Sequence, residues 1–130
     1  MGPARPRSLT FDAGALIALE HGDGRMRSLI RHASASGALI YVPAPVLAQV
    51  WRGNPSEAPV AALLKKDTVS VPVLDGSTAR AVGRLCGRRG SADIVDASVV
   101  LCARLTGSVV VTSDPDDLRH LDPTLVLESL

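Results

Sequence analysis

Aromatic side chains are almost missing: Phe11, Tyr41 and Trp51 are the only three in 130 residues. That argues against a nucleic-acid binder that stacks bases on aromatic platforms, such as an RRM sheet or an OB groove. Cysteine is nearly as scarce. Cys86 and Cys102 lack CxxC spacing and sit in apolar helical contexts, so they read as small core residues rather than a disulfide. No run of about 18 apolar residues exists, so no membrane-spanning helix is expected. The charged start, Met1-Gly-Pro-Ala-Arg-Pro-Arg7, has no apolar stretch after it and does not read as a signal peptide. These features favour a cytoplasmic protein. A net charge of one sign is also lacking: 14 Lys and Arg stand against 13 Asp and Glu, for +1. No global positive field draws this chain onto nucleic acid.

What is present is a long enough, apolar enough chain. At 130 residues and 46% hydrophobic content it fits a single domain with its own core, and it is not disordered. The charged residues are unevenly chosen. Twelve of the basic residues are Arg and ten of the acids are Asp. A GC-rich gene produces the Arg excess on its own. The Asp excess points to caps, turns or metal ligation.

Along the chain, short apolar runs alternate with helical patterns. Strands are expected at Ser8–Asp12, Ala38–Val42, Val69–Leu74, Ser108–Thr112 and Leu125–Leu127. Pro72 places the third of these at an edge or a strand end. Helices are expected at Ala13–Glu20, at Gly24–Ala35 with Met26, Leu29, Ile30 and Ala33 on one face, and from Pro43 and Pro45 through Trp51. Further helices are expected at Ala58–Lys66, Ser77–Cys86, Ser91–Leu105 and Asp114–Leu121, with Gly87-Arg88-Arg89-Gly90 as a loop. The expected fold is α/β, with a central mostly parallel sheet and helices in the crossovers. Residues 1–7 read as a loose arm and 8–130 as the one domain.

Ligands of open α/β sheets bind beyond the carboxyl ends of the strands, and acids gather there. Asp12 ends the first strand. Thr112-Ser113-Asp114 ends the fourth, with Asp116 and Asp117 next, and the long helix before it opens with Asp93 and Asp96. Clustered carboxylates raise their own pKa values or recruit a cation. With no His or Cys at ligand spacing, oxygen donors suit Mg²⁺ or Mn²⁺ rather than zinc. Each acid also has a structural reading. Asp114-Pro115-Asp116-Asp117 is a capped helix start, and Asp12 and Asp93 fit caps as well. Asp96 differs, because it interrupts the apolar stretch Ile94–Val100, where an unpaired acid is costly.

Neither GxGxxG nor GxxxxGK[ST] occurs, and no GxSxG or Cys/His pairing suggests acyl transfer. A receiver-like phosphate enzyme would want a Lys after a late strand, but Lys65 and Lys66 fall in an expected helix.

Four segments in order resemble the motifs of PIN domains: Leu9-Thr-Phe-Asp12-Ala-Gly-Ala-Leu-Ile-Ala-Leu19, Val46-Leu-Ala-Gln-Val-Trp-Arg52, Asp96-Ala-Ser-Val-Val-Leu-Cys-Ala-Arg-Leu-Thr-Gly107 and Val109-Val-Val-Thr-Ser-Asp-Pro-Asp-Asp-Leu118. In size and style they are most similar to VapC-type toxin ribonucleases. The resemblance implies a three-layer PIN-like fold and an endoribonuclease dependent on Mg²⁺ or Mn²⁺. It further implies an RNA substrate, a VapB-type antitoxin and a homodimer. It assigns catalysis and metal binding to Asp12, Asp96 and Asp114, makes Asp116 a further metal ligand, and leaves Asp93 and Ser113 accessory. The sequence departs from the family at Gln49, where the family carries Glu. Gln keeps an oxygen and the side-chain length but loses a charge, which lowers metal affinity and eases repulsion among the remaining acids. The alternative is therefore an attenuated or inactive PIN-like module that binds RNA or protein. Glu57 lies beyond the helix and is a poor substitute. Arg52, Arg88 and Arg89 flank the expected rim as candidate RNA-phosphate contacts. Trp51 reads as core or dimer contact.

Overall fold

A computed structural model describes residues 6–130. In chain order its elements are β1 (Leu9–Phe11), α1 (Ala13–Glu20), α2 (Gly24–Ser36), β2 (Ile40–Tyr41), α3 (Ala44–Val50), α4 (Ala58–Leu64), β3 (Val69–Ser70), α5 (Gly76–Arg89), α6 (Ile94–Thr106), β4 (Val109–Thr112), α7 (Pro115–Leu121) and β5 (Leu127–Ser129). A 3-10 turn, Pro55–Glu57, precedes α4.

The strands form one all-parallel sheet in the order β3-β2-β1-β4-β5. Parallel neighbours need crossovers, and helices fill each of them. Leu9 sits opposite Ile40 on one side and Val109 on the other. The strand order therefore reverses at β1, and the gap beyond the ends of β1 and β4 is the switch point where open α/β sheets bind ligands. α1 and α6 both pack on β1 and β4, and α3 touches both helices. Phe11, Ile40, Val110 and Val111 from the strands are buried with Leu16, Met26, Val46, Val99 and Leu118 from the helices. Each such side chain contributes about 1.5–3 kcal/mol by leaving water.

Several boundaries differ from expectation, each for a local reason. α5 runs through Gly87 to Arg89, where a loop was expected; Gly90, at φ 64°, then ends it, and the Ser91 N–H closes onto Cys86 O at 3.0 Å. α6 begins at Ile94 rather than Ser91, because the Asp93 side chain caps it. β3 stops at Ser70 well short of Leu74, since Pro72 has no N–H to extend the ladder; β3 does lie at the sheet edge. β5 occupies Leu127–Ser129, two residues later than expected, in register with Val110–Thr112. Ile94, which opens the apolar stretch that reads as the core side of this helix, is instead 54% exposed.

Both cysteines are free and buried. No helix among the described residues is long and apolar enough to cross a membrane. Of the expected N-terminal arm, residues 1–5 lie outside the described residues, and Arg7 Nε donates to Gly107 O at 3.1 Å.

Candidate active site

Asp12 follows β1 directly and caps α1. Its Oδ1 accepts the Ala15 N–H at 2.8 Å, and its side chain is buried. The Thr112 hydroxyl, at the end of the neighbouring β4, lies near enough to the same carboxylate to favour its charged form, and accepts the Asp114 N–H at 2.8 Å. Thr112 thus stands between Asp12 and Asp114 at the ends of the two central strands. Burial still outweighs these hydrogen bonds, and the Asp114 charge adds to it, so the Asp12 carboxyl is raised above its ordinary range.

Asp93 and Asp96 come from the start of α6. Asp93 Oδ1 accepts the Asp96 N–H at 2.9 Å, which satisfies one free donor of the helix and turns Asp96 into its first turn. The Asp96 carboxyl is half-buried. Burial, the charges of Asp93 and Asp12, a hydrogen bond with the Asp93 carboxyl and the Asp117 charge push it up to about 7. Asp114 follows β4 and is exposed. It makes no side-chain cap on α7. Its carboxyl is also raised, first by the hydrogen bond with the Asp117 side chain, then by slight burial and the charges of Asp117 and Asp93.

Five aspartates from three chain segments therefore act on one another: Asp12, Asp93, Asp96, Asp114 and Asp117. The salt bridges among the described residues are Arg25–Glu128, Arg104–Asp122 and Arg119–Asp116, so none of the five has a basic partner. Their donors are oxygen only, which fits a hard divalent cation. Among the described residues, no three His, Cys, Asp or Glu side chains stand in one coordination sphere. A Mg²⁺ ion is commonly held by one or two carboxylates with several waters retained, so the charge and the donor type fit it without such a cage.

Of the carboxylates expected here, the structure brings Asp12, Asp93, Asp96 and Asp114 together. Asp116 faces solvent, 3.4 Å from Arg119. Its neighbour Asp117 takes the position toward Asp96 and Asp114. Ser113 is exposed beside Gly14, in the first turn of α1.

Solved structures with this architecture were found. The chain matches VapBC2 from Rickettsia felis bound to a DNA fragment from its promoter at TM-score 0.70 and 12% identity, over 94% of this chain and 98% of that one. It matches FitAB bound to an IR36 DNA fragment at TM-score 0.61 and 10% identity, over 93% and 94% of the two chains. It matches PAE2754 from Pyrobaculum aerophilum at TM-score 0.59 and 23% identity, over 93% and 90%. The fold is PIN-like. No protein-family model matches the sequence, and no curated protein sequence does.

Within this PIN-like fold the remaining candidates are dispersed. Gln49 is exposed on α3 and lines a groove with Pro45, Leu74, Ile94 and Val95. Glu57 is 2% exposed and fully engaged: its carboxylate accepts the Arg52 N–H at 2.9 and 3.1 Å and the Asn54 N–H at 2.8 Å. It holds the turn after α3 and does not reach into the acid group. Arg52 caps its own helix, its guanidinium donating to Ala48 O at 3.0 Å and Trp51 O at 2.8 Å. Arg89 Nε donates to His120 O at 3.1 Å, and Arg88 is exposed beside it. Both line a cavity on the far side of α7 from Asp114.

Sequence reasoning missed Thr112 and Gly14 as parts of this site, and left Asp117 as a first-turn acid of the helix start. The glycine carried a usable signal. A Gly in the first turn of a helix costs stability unless something approaches closely.

Proposed function

We propose that this chain is an endoribonuclease dependent on Mg²⁺ or Mn²⁺, the toxin of a toxin–antitoxin pair acting in the cytoplasm. The observation that carries the reading is the placement of Asp12, Asp96 and Asp114 at the sheet's switch point, each carboxyl raised by burial or by neighbouring acids, with no basic side chain to offset them. Asp12, Asp96 and Asp114 would hold the ion, with Asp93 and Asp117 adding charge and Asp116 at the outer margin. A bound divalent ion lowers the pKa of a coordinated water and offsets charge on the phosphodiester.

The chain's own residues have separable tasks. Thr112 favours the charged form of Asp12 and fixes the backbone of Asp114. Asp93 holds the first turn of α6, and with it Asp96. Gly14 lets Ser113 close against α1. Likeness in fold to VapBC2 and FitAB supports an antitoxin partner, and this chain would present its acid rim to a basic group of that partner. A second copy of the chain would cover the apolar outer face of α3. There Ala44 and Ala48 join a groove with Leu47, Trp51 and Leu64 to one with Leu74 and Ile94.

The test is cleavage of a labelled single-stranded RNA by the purified protein. Cleavage with Mg²⁺ or Mn²⁺ that stops with chelator and in Asp96→Asn supports the reading. Cleavage that survives both overturns it.

Gln49 favours a second reading, in which binding persists and turnover is weak. Gln49 lines the same groove as Ile94 and Val95, the residues just before Asp96 on α6. Strong activity of the unaltered chain would end this reading.

A further inference from the structure

A second charged feature lies at the opposite end of α7 from the acids. Arg88 and Arg89 at the end of α5 and Arg104 on α6 converge on an open cavity of about 450 Å³, walled by Leu85, Leu121 and Asp122. Asp122 does not cancel them. It is 5% exposed, and its carboxylate accepts from Thr124 N at 2.9 Å, Thr124 Oγ1 at 2.6 Å and Arg104 Nε at 2.7 Å. Burial alone would raise its carboxyl, but these hydrogen bonds from Thr124 and Arg104 hold it below the usual carboxylate range. The cavity wall therefore keeps three guanidinium charges against one carboxylate that is already engaged.

Two of the arginines are fixed in a particular way. Arg104 is held through Nε by Asp122, and Arg89 through Nε by His120 O at 3.1 Å, while the His120 ring returns a 2.8 Å contact to Arg89 O. Holding a guanidinium by Nε leaves its two terminal amino groups free as a donor pair. Among the described residues, the terminal amino groups of Arg88, Arg89 and Arg104 have no protein partner. Such pre-set forks match the oxygens of a phosphate bidentately and lose little rotamer freedom on binding.

We infer that this cavity is a phosphate site, and that its ligand is the backbone of a single-stranded RNA whose chain also crosses the acid rim. The inference rests on the endoribonuclease reading for the identity of that RNA. Its position relative to the acids favours RNA over an acidic peptide. The site lies at the end of α7 opposite Asp114, so a strand leaving the acid rim along α7 reaches it. α7 has seven residues and spans about 10 Å, longer than the roughly 8 Å screening length at physiological salt. The arginines therefore attract a phosphate that the bare carboxylates repel. The site anchors substrate away from the scissile bond, in a protein with too few aromatic residues to hold bases by stacking.

The test measures binding of a fluorescent single-stranded RNA to the full chain in chelator, where no cleavage occurs, across a series of salt concentrations. Arg88→Ala is the first variant, because Arg88 is exposed and holds nothing in place. It should weaken binding about tenfold and flatten the salt dependence by about 0.7 in log–log slope, the loss of one phosphate contact to a single strand. Arg104→Lys keeps the charge near Asp122 but removes the fork, and should weaken binding by less. Unchanged affinity and slope in both variants overturn the site, even if the protein cleaves RNA. Undiminished RNA binding in the presence of excess poly-glutamate supports it, whereas poly-glutamate binding that depends on Arg88 without RNA binding overturns it. A chain that binds RNA through Arg88 yet never cleaves it with Mg²⁺ or Mn²⁺ keeps the phosphate site and removes the nuclease reading.

Discussion

Gly14 and Ser113 are in contact across the gap between β1 and β4. A Cβ built on Gly14 would lie 1.9 Å from Ser113 Oγ and 3.1 Å from Ser113 Cβ, with Asp12 Oδ1 3.5 Å away. Rotating the exposed Ser113 hydroxyl relieves the first contact, and the approach to Ser113 Cβ then asks for a shift of a few tenths of an ångström. Gly14→Ala should destabilise the chain by up to about 1 kcal/mol, the low end of overpacking, despite the better helix propensity of Ala. Ser113→Gly in the same background removes both clashing atoms. The pair should then recover most of the loss, as a non-additive double-mutant cycle in urea unfolding.

The stability of the metal-free chain should fall as pH rises from about 5 to 8. Asp96 titrates at about 7 in the folded chain against 3.8 for the unfolded group, and Asp12 is shifted the same way. Between those values the folded state binds more protons than the unfolded state, so the unfolding free energy decreases with pH. Asp96 is partly solvated, and the discounted effect is on the order of 1 kcal/mol, or about 2–6 °C in Tm. The lowered carboxyls of Asp75 and Asp122 act only below this window. Thermal unfolding in chelator at pH 5 and pH 8 reads the difference. Asp96→Asn should raise Tm at pH 8 and remove most of the slope. Millimolar Mg²⁺ or Mn²⁺ at pH 8 should stabilise the unaltered chain and not the variant.

Asp12 has two jobs that different substitutions separate. Asp12→Asn keeps an oxygen for the Ala15 N–H and removes the charge. It should melt within a few degrees of the unaltered chain and lose RNA cleavage by at least about a hundredfold, on the scale of other lost electrostatic groups in active sites. Asp12→Ala loses the cap as well and should cost about 1 kcal/mol more. Unaltered cleavage in Asp12→Asn would remove this residue from the catalytic set.

Gln49→Glu restores a charge on the groove beside Ile94 and Val95. Divalent-ion affinity read by calorimetry should rise by about tenfold, a modest electrostatic gain for one added carboxylate. The accompanying stability change without metal should be within about 0.5 kcal/mol, because position 49 is exposed on α3 and an added carboxylate there stays solvated.

Much of the fold was readable from pattern. Short apolar runs such as Val109–Val111 and Leu9–Phe11, separated by helical spacing, are what a sheet covered on both faces requires. Local chemistry also marked two caps: Asp12 and Asp93 each accept a backbone N–H of the helix they precede, whereas Asp114, read the same way, makes no side-chain cap, and the caps Asp23 and Asp75 went unread. What pattern misplaced were ends governed by single residues. Gly87 looked like a helix stop, but a glycine inside a helix costs only about 1 kcal/mol, and the stop is Gly90. Ile94 carries an apolar side chain at an expected core position, yet α6 turns it outward into the groove with Gln49.

The order of elements and the presence of aspartates after β1, after β4 and at the start of α6 follow from sequence, because strand ends and helix starts are local events. Which of those acids meet does not. Asp116 and Asp117 are adjacent and chemically identical, and they project about 100° apart around α7. Only the packing of α7 against α6 turns Asp117 toward Asp96 and leaves Asp116 with Arg119. The arginines divide for the same reason. Arg52 spends its guanidinium on its own helix end, whereas the adjacent Arg88 and Arg89 share one cavity with Arg104 of the next helix because α5, α6 and α7 lie side by side.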